Sequence, residues 1–207
     1  MHSSKRVQGK STPARNGRRE NRVRIIGGEH RGRRIAVPDR PGLRPTPDRV
    51  RETLFNWLGQ RLDGLACLDL FAGSGALGFE AASRGAARVA MVENDGEAFR
   101  ALEESCKTIG FGAVELTCGD AFDYLARGND AFDVVFLDPP FRQNALAVAL
   151  ERLPRRLKPG ARVYVEAPDP LEAAGGWREL RGARAGQVSY QLLEWTGDDQ
   201  GGLPRNI

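Results

Sequence analysis

The segment VVFLDPPF, residues 134–141, ends an apolar run with a carboxylate, two prolines and an aromatic ring. Proline cannot donate to a β-ladder, so one interpretation is a plain strand end. The segment also offers two fixed acceptors, the Asp138 carboxylate and the Pro139 carbonyl, which match the two N–H bonds of an exocyclic amine. Accepting both hydrogens favours a pyramidal nitrogen whose lone pair can attack an electrophile. An aromatic ring beyond the prolines could stack on a nucleic-acid base that carries such an amine. The predicted catalytic residues are Asp138, Pro139, Pro140 and Phe141.

A glycine-rich turn lies between an apolar run and a helix-like segment in LDLFAGSGALGFEAA. Gly73, Gly75 and Gly78 form a G-x-G-x-x-G pattern, in which glycines allow a tight turn and a close ligand approach to the helix N-terminus. Dinucleotide sites and S-adenosylmethionine sites share this pattern. A merely tight turn between a strand and a helix explains it as well.

Acids at the ends of successive apolar runs help to distinguish these interpretations. Glu93 follows Gly73 by twenty residues, where an acid accepts hydrogen bonds from ribose in either kind of site. Asp69 suits the positive methionine end of S-adenosylmethionine and would repel a pyrophosphate, and Asp120 could receive an adenine amino group. Each acid alone could be a loop residue or a helix cap. Together they outline one crevice at the carboxyl ends of the strands.

The elements that must position these residues alternate from residue 65 onward. Apolar runs in LACLDLFA, RVAMVEN, AVELTCGD, AFDVVFLDPP and ARVYVEAP are separated by helical segments. Such alternation implies βαβ crossovers and an α/β fold with a doubly wound, mostly parallel sheet. The closing segment WRELRGARAGQVSYQLLEW indicates a two-stranded hairpin.

Before this core, the sequence predicts a basic hairpin and a helix. Apolar runs at 23–26 and 35–37 flank a turn in which His30 is expected to be solvated. A helix over 47–61 follows, with Thr46 as its N-cap and Pro47 in its first position. We expect the arginines that precede and open this helix to lie on the exposed side; they are Arg44, Arg49 and Arg51. The arginines predicted to hold a nucleic-acid backbone are Arg24, Arg31, Arg33, Arg34 and Arg44.

Charge is unevenly distributed, since residues 1–51 contain fifteen Lys and Arg against four Asp and Glu. A basic arm on a mildly acidic body is typical of polyanion binders. The predicted divisions are a disordered basic tail (1–22), an RNA-binding hairpin and linker (23–46), a catalytic domain (47–196) and a flexible end (197–207). Three scattered cysteines, expected to be buried and reduced, and the lack of a long apolar stretch predict a cytoplasmic location. Two histidines make a metal site unexpected.

Together, LDLFAGSGALG, VEND, GDAF and FLDPPF resemble class I S-adenosylmethionine-dependent amino-methyltransferases. With RIIGGEHRGRRI and LRPTPDRVRETLFNWL added, the chain resembles the RsmD family of 16S ribosomal RNA guanine-N2 methyltransferases from about Arg24 to Trp195. This resemblance implies a Rossmann-like, seven-stranded sheet whose last strand is antiparallel. It also implies S-adenosylmethionine as cofactor, and 16S rRNA in a partly or fully assembled small subunit as partner. The cofactor-binding residues that it implies are Thr46, Arg49, Asp69, Phe71, Gly73, Gly75, Glu93, Asn94, Asp120 and Ala121.

Three other functions fit parts of the sequence. A DNA adenine amino-methyltransferase shares the D-P-P-F motif, but residues 142–207 leave little room for a target-recognition domain. An RNA-binding assembly factor with a vestigial cofactor fold would not need Asp138 or the glycine turn. An NAD oxidoreductase would need a His, Lys or Tyr constellation for hydride transfer. Nothing in the sequence demands a dimer, so a monomer is expected.

Overall fold

A computed structural model describes residues 21–38, 40, 45–140 and 144–197. The strands are β1 (Asn21–Arg24), β2 (Arg34–Val37), β3 (Ala66–Asp69), β4 (Arg88–Glu93), β5 (Val114–Cys118), β6 (Phe132–Leu137), β7 (Leu157–Ala167), β8 (Trp177–Ala185) and β9 (Val188–Trp195). The helices are α1 (Asp48–Leu58), α2 (Ala76–Ser83), α3 (Gly96–Ile109), α4 (Ala121–Arg127) and α5 (Ala145–Arg152), with a 3₁₀ turn at Leu153–Arg156.

The main sheet has seven strands in the order β5-β4-β3-β6-β7-β9-β8. Strand β9 is antiparallel to both of its neighbours, and the pairs among β3, β4, β5, β6 and β7 are parallel. These features confirm the predicted doubly wound fold with an antiparallel last strand. The winding reverses between β3 and β6, and ligands of open α/β sheets bind beyond the carboxyl ends of the strands at such a point. We call this side of the sheet the carboxyl edge.

Helices cover both faces of the sheet, and the alternation of side chains along each strand assigns every strand residue to one face. Cys67, Val134 and Tyr164 pack with apolar residues of α1, α2 and α3. Their neighbours Leu68, Val135 and Val163 pack with those of α4 and α5 on the opposite face. Asp69 and Glu166 each lie two residues after a residue of the α1–α3 face, and Asp138 lies four residues after Val134, just beyond β6. By this even spacing, all three acids point to the α1–α3 face.

Helix α1 begins one residue later than predicted and ends at Leu58, where Gly59 adopts a left-handed conformation (φ 97°). The prediction that Thr46 caps this helix is wrong, because Pro47 occupies the N-cap position and no side chain caps the helix. Thr46 is buried, and its carbonyl accepts a hydrogen bond from Arg51 Nε at 3.1 Å.

The expectation that Arg51 is exposed is also wrong, since only 1% of this residue is accessible. Its Nη1 donates to Glu80 Oε2 at 3.2 Å, and Glu80 is itself fully buried. The other Glu80 oxygen accepts from Arg84 Nε at 2.8 Å, and the backbone N–H groups of Ile26 and Gly27 complete the set at 2.9 and 2.8 Å. The buried carboxylate of α2 therefore ties together α1 and the N-terminal hairpin.

The N-terminal hairpin is confirmed, with Arg24 opposite Arg34 and Val23 opposite Ile35 in an antiparallel pair. Strand β1 starts at Asn21, two residues before the predicted boundary. Val23 and Ile35 are buried against the α1–α3 face of the protein. Residues 1–20 and 198–207, on which the predicted tail and flexible end fall, lie outside the described residues.

The turn of this hairpin rests on the C-terminal end of α2 rather than in solvent. Gly28 has a φ of +76°, and a Cβ on it would lie 1.7 Å from the Ser83 carbonyl oxygen. The His30 ring packs 4.5 Å from the Phe111 ring, measured between centroids, so the expectation of a solvated histidine is wrong. Because the backbone of the turn contacts α2 closely, the His30 side chain lies against the Phe111 ring.

The expectation that all three cysteines are buried holds only for Cys67. Cys106 is partly buried and Cys118 is exposed, because β5 is an edge strand of the sheet. None of the helices in the described part of the chain is long and apolar enough to span a lipid bilayer.

Candidate active site at the carboxyl edge of the sheet

Asp138 follows the last residue of β6, a strand that is buried from Val134 to Leu137. Its side chain is partly buried, Pro139 is buried and Pro140 is exposed. Burial raises the pKa of Asp138 well above its usual value, and the nearby charges of Glu166 and Asp69 raise it further. Phe141 lies outside the described residues.

Asp69 is the last residue of β3 and is only 3% exposed. One of its carboxylate oxygens accepts a hydrogen bond from the Gly78 backbone N–H at 2.9 Å, across the glycine turn. Burial raises the pKa of Asp69 to about 7 despite this hydrogen bond, and the charge of Glu93 contributes to the rise. Asp69 is therefore an acid close to its titration point at neutral pH.

The glycine turn is shaped by left-handed residues at Gly73 (φ 51°) and Gly75 (φ 76°). Gly75 is the N-cap of α2, and a Cβ there would lie 2.5 Å from the Phe79 ring and 2.6 Å from Leu102. A residue with a side chain would be strained by its φ and would also clash with the core. The predicted requirement for glycine at this turn has a direct structural cause.

Glu93 ends β4 and holds the glycine turn from the neighbouring strand. Its Oε2 accepts from the Gly73 N–H at 2.6 Å, and its Oε1 accepts from the Asp95 N–H at 2.7 Å. Each carboxylate oxygen has a second lone pair, so these bonds leave capacity to accept from a ligand. The adjacent Asn94 is exposed.

Asp120 is the N-cap of α4, and a single oxygen, Oδ1, accepts from the Phe122 and Asp123 N–H groups at 2.8 and 3.0 Å. The helix-cap interpretation of this residue is therefore confirmed, while Oδ2 takes no part in the two capping bonds. Ala121 is buried beside it, and the Phe71 ring meets the Phe122 ring edge-on at 6.2 Å between centroids.

Thr46 and Arg49 make no hydrogen bond to these acids within the described ranges. Thr46 turns its carbonyl to Arg51, and Arg49 is exposed on α1 with its carbonyl accepting from the Thr53 hydroxyl at 2.9 Å. Their predicted contribution to the cofactor cleft therefore stays a prediction.

The predicted RNA-binding arginines lie away from these acids, on and beside the hairpin. Arg24, Arg31, Arg33 and Arg34 are exposed. The Arg33 guanidinium donates to the Thr108 carbonyl at 3.4 Å, near the C-terminal end of α3 and thus opposite the carboxyl edge. Arg44 is outside the described residues.

Glu166 is a further acid at this edge that the sequence analysis missed. It lies near the end of β7, and its Oε1 accepts from the Tyr164 hydroxyl at 2.7 Å. Burial raises the pKa of Glu166, while the Tyr164 hydrogen bond lowers it. The signal was present in ARVYVEAP, because an acid at the end of the strand after FLDPPF can come to lie beside Asp138.

Asp69, Asp138 and Glu166 have no ion-pair partner among the residues that the structure describes. No group of three His, Cys, Asp or Glu side chains in the same residues is arranged to hold a metal ion. Partly desolvated carboxylates without a counter-ion favour an organic cation or a ligand with N–H donors. Beside a glycine turn, they could hold a positively charged ligand and accept hydrogen bonds from an amine.

Known proteins match this chain over most of its length. Residues 23–194 match the family described as conserved hypothetical protein 95. Ribosomal RNA small subunit methyltransferase D of Escherichia coli K12 is 43% identical over 178 residues, which covers 83% of this chain and 89% of that protein. The protein of the same name from Haemophilus influenzae is 43% identical over 180 residues, which covers 83% of this chain and 93% of that protein. A solved structure from E. coli, described as a candidate methyltransferase, yhhF, superposes with a TM-score of 0.78 at 39% identity, covering 85% of this chain and 99% of the other.

Proposed function

The chain belongs to the RsmD family of ribosomal RNA methyltransferases, and on that basis we propose that it methylates a guanine of small-subunit ribosomal RNA. The methyl donor is S-adenosylmethionine, and the acceptor is the exocyclic N2 amine of the base. The RNA is 16S rRNA in a partly or fully assembled small subunit, and the protein acts as a monomer.

The observation that supports this proposal most strongly is the position of Asp138 relative to Asp69. Both acids lie on the α1–α3 face of the carboxyl edge. Asp69 of β3 pairs with Phe136 of the neighbouring strand β6, and Asp138 comes two residues after Phe136. The charge of Asp69 acts on Asp138 and raises its pKa. An amine held by Asp138 would therefore lie beside any cation held by Asp69.

The residues around the glycine turn fit S-adenosylmethionine. Asp69 is a desolvated acid without a basic partner among the described residues, which suits the cationic methionine end of the cofactor. Glu93 is fixed by two backbone N–H groups and retains lone pairs for ribose hydroxyls. Asp120 and Ala121 border the adenine end, and Asp120 has Oδ2 beyond its two capping bonds.

When bound, S-adenosylmethionine would supply a methyl group on a positively charged sulfonium, whose sulfur leaves readily as a neutral thioether. Asp138 and the Pro139 carbonyl accept the two amine hydrogens and direct the nitrogen lone pair toward that methyl. Positioning and electrostatics then supply most of the rate enhancement, so a covalent enzyme intermediate is not needed. Asp138 stabilises the positive charge that develops on nitrogen until that nitrogen gives a proton to Asp138 or to water. Phe141 follows in sequence and keeps its predicted role as a stacking ring for the flipped base.

The arginines of the N-terminal hairpin bind RNA phosphates in this proposal. Arg24 and Arg34 face each other across β1 and β2, and the side chains of Val23 and Ile35 fill the opposite, buried face. The exposed face of the hairpin is therefore positively charged. Glu80 and Arg51 hold the hairpin against the catalytic domain, so bound RNA is kept at a fixed position relative to it.

Replacement of Asp138 by Ala tests the proposed mechanism. We expect methyl transfer to small ribosomal subunits to fall by at least about 10²- to 10³-fold, since an interaction with developing charge is lost. Binding of S-adenosylmethionine, measured by calorimetry, should persist because Asp69 and Glu93 are unchanged. Asp123→Asn, which alters an exposed acid of α4, is the control. Transfer by Asp138→Ala at the wild-type rate would contradict the mechanism.

A further inference from the structure

Glu166 lies directly beside Asp138 in the sheet. Leu137 of β6 pairs with Val165 of β7, so Asp138 and Glu166 are the next residues along two parallel strands. Neighbouring strands are about 4.8 Å apart, and laterally paired residues project to the same face. Phe136 and Tyr164, two residues earlier, both pack in the α1–α3 core. The two carboxylates therefore lie side by side on one face of the carboxyl edge.

Tyr164 fixes the position of the Glu166 carboxylate. The buried Tyr164 hydroxyl donates to Glu166 Oε1 at 2.7 Å, and Glu166 also pairs with Tyr190 across β7 and β9. The Tyr164 and Tyr190 rings are 6.3 Å apart between centroids and pack against each other. Glu166 Oε2 makes no hydrogen bond in the described part of the chain. Glu166 is thus anchored through one oxygen and has the other available as an acceptor.

Placing two partly buried carboxylates side by side is unfavourable in the free protein. Burial raises the pKa of Asp138, and the adjacent charge of Glu166 raises it further. A ligand that presents N–H donors to both acids would relieve this repulsion and satisfy both groups. The pair is therefore better matched to a substrate with two adjacent donor groups than to one with a single amine.

The nucleic-acid bases differ in what lies beside their exocyclic amines. In guanine, the N2 amine is next to the ring N1–H, which is a donor. In adenine and cytosine, the amine is next to a ring nitrogen that has a lone pair and no hydrogen. A second carboxylate beside the residue that holds the amine attracts the N1–H group of guanine. The same carboxylate repels the ring-nitrogen lone pair of adenine and of cytosine.

We propose that Glu166 accepts a hydrogen bond from guanine N1–H while Asp138 holds the N2 amine, and that Glu166 thereby selects guanine over adenine and cytosine. This inference rests on the proposed methyltransferase function and assigns the base preference to a residue. Tyr164 is a positioning residue in this arrangement, because it acts on the base only through Glu166.

A change in the base tests the assignment without altering the protein. 2-Aminopurine keeps the 2-amino group of guanine, but its N1 has a lone pair in place of the hydrogen and its C6 has a hydrogen in place of the oxygen. We would compare small subunits that carry guanine or 2-aminopurine at the methylated nucleotide, after that nucleotide has been located. Wild-type protein should show a kcat/KM at least about 100-fold lower on 2-aminopurine, because a site built to accept an N–H rejects a base that lacks it.

The Glu166→Gln variant supplies the matching change in the protein. Its amide can donate to the 2-aminopurine N1, so the preference for guanine should fall at least about tenfold relative to wild type. Glu172→Gln, at an exposed acid shortly after β7, should keep the wild-type preference. Tyr164→Phe should lower the preference for guanine, since it removes the hydrogen bond that orients Glu166.

The possible outcomes distinguish a failure of the role assigned to Glu166 from a failure of the proposed methyltransferase function. Equal wild-type kcat/KM on both bases would overturn the role of Glu166, as would an equal loss on both bases in Glu166→Gln. Because wild type and variant meet the same two bases, a smaller guanine preference in the variant separates the N1 contact from the missing 6-oxo group, and Tyr164→Phe supplies this comparison if Glu166→Gln fails to fold. Absence of methyl transfer to guanine-containing subunits by wild-type protein would instead overturn the proposed function itself.

Discussion

At the scale of single residues, Asp69 combines burial with a carboxylate at the carboxyl edge, where we propose that the cofactor binds. It is an acid with 3% exposure and one backbone hydrogen bond, and burial brings its pKa to about 7. A cation bound nearby favours the ionised form and lowers this pKa, so binding must release a proton when the free protein holds one. Affinity for the cation then rises with pH up to the pKa of the free protein and levels off above it.

We therefore expect the affinity for S-adenosylmethionine to increase as the pH rises from about 6 to 8. Each pKa unit by which binding lowers the pKa of Asp69 corresponds to about tenfold in affinity. Asp69→Asn should weaken binding at pH 8 and flatten this dependence, while its side-chain oxygen can still accept from the Gly78 N–H. Calorimetry across this pH range measures both effects. An unchanged pH profile in Asp69→Asn would show that this acid does not face the cofactor.

At the scale of elements, arginines from the N-terminal part of the chain contact both ends of α3. Arg40 donates to Glu97 at 2.8 Å and also pairs with Asp95, both at the N-terminal end of α3 next to the carboxyl edge. Arg33 reaches Thr108 at the other end of the same helix. Fourteen helical residues span about 20 Å. If RNA binds along the hairpin as we propose, it extends well away from the base that is methylated.

Replacing Arg31 and Arg34 by Gln should weaken binding to small-subunit RNA and reduce its salt dependence. Both residues are exposed, and each lost phosphate contact lowers the slope of log K against log salt by about 0.7 to 0.9. Filter binding or fluorescence anisotropy at several salt concentrations gives this slope. Arg127→Gln, at an exposed arginine of α4 on the other face, is the control. A slope equal to that of wild type would place the RNA elsewhere.

At the scale of the whole molecule, the sequence predicted those structural features that depend on residues close together in the chain. The alternation of apolar runs and helices predicted the sheet, and the positions of Gly73, Glu93 and Asp138 at its carboxyl edge followed because each comes at or just after the end of an apolar run. Partners far apart in sequence could not be predicted. Arg51 was expected to be exposed because nothing near it in the chain indicates Glu80, twenty-nine residues later.

Glu166 was missed for a related reason. Its importance depends on the register of β6 against β7, which places it opposite Asp138, and periodicity alone does not determine register. The hydrogen bond from Tyr164 is likewise visible only once both side chains are seen on one face. The sequence pattern thus indicated the motif at Asp138, whereas the pairing of β6 with β7 in the structure identified Glu166 beside it.

Methylation of the N2 amine of a guanine in small-subunit ribosomal RNA is the reaction that we propose for this protein. Mass spectrometry of nucleosides from small subunits, before and after reaction with the protein and S-adenosylmethionine, tests it most directly. We predict one new N2-methylguanosine per subunit with wild-type protein and at least about 100-fold slower formation of it with Asp138→Ala. A methylated adenosine or cytidine, or the absence of any new methylated nucleoside, would contradict the account.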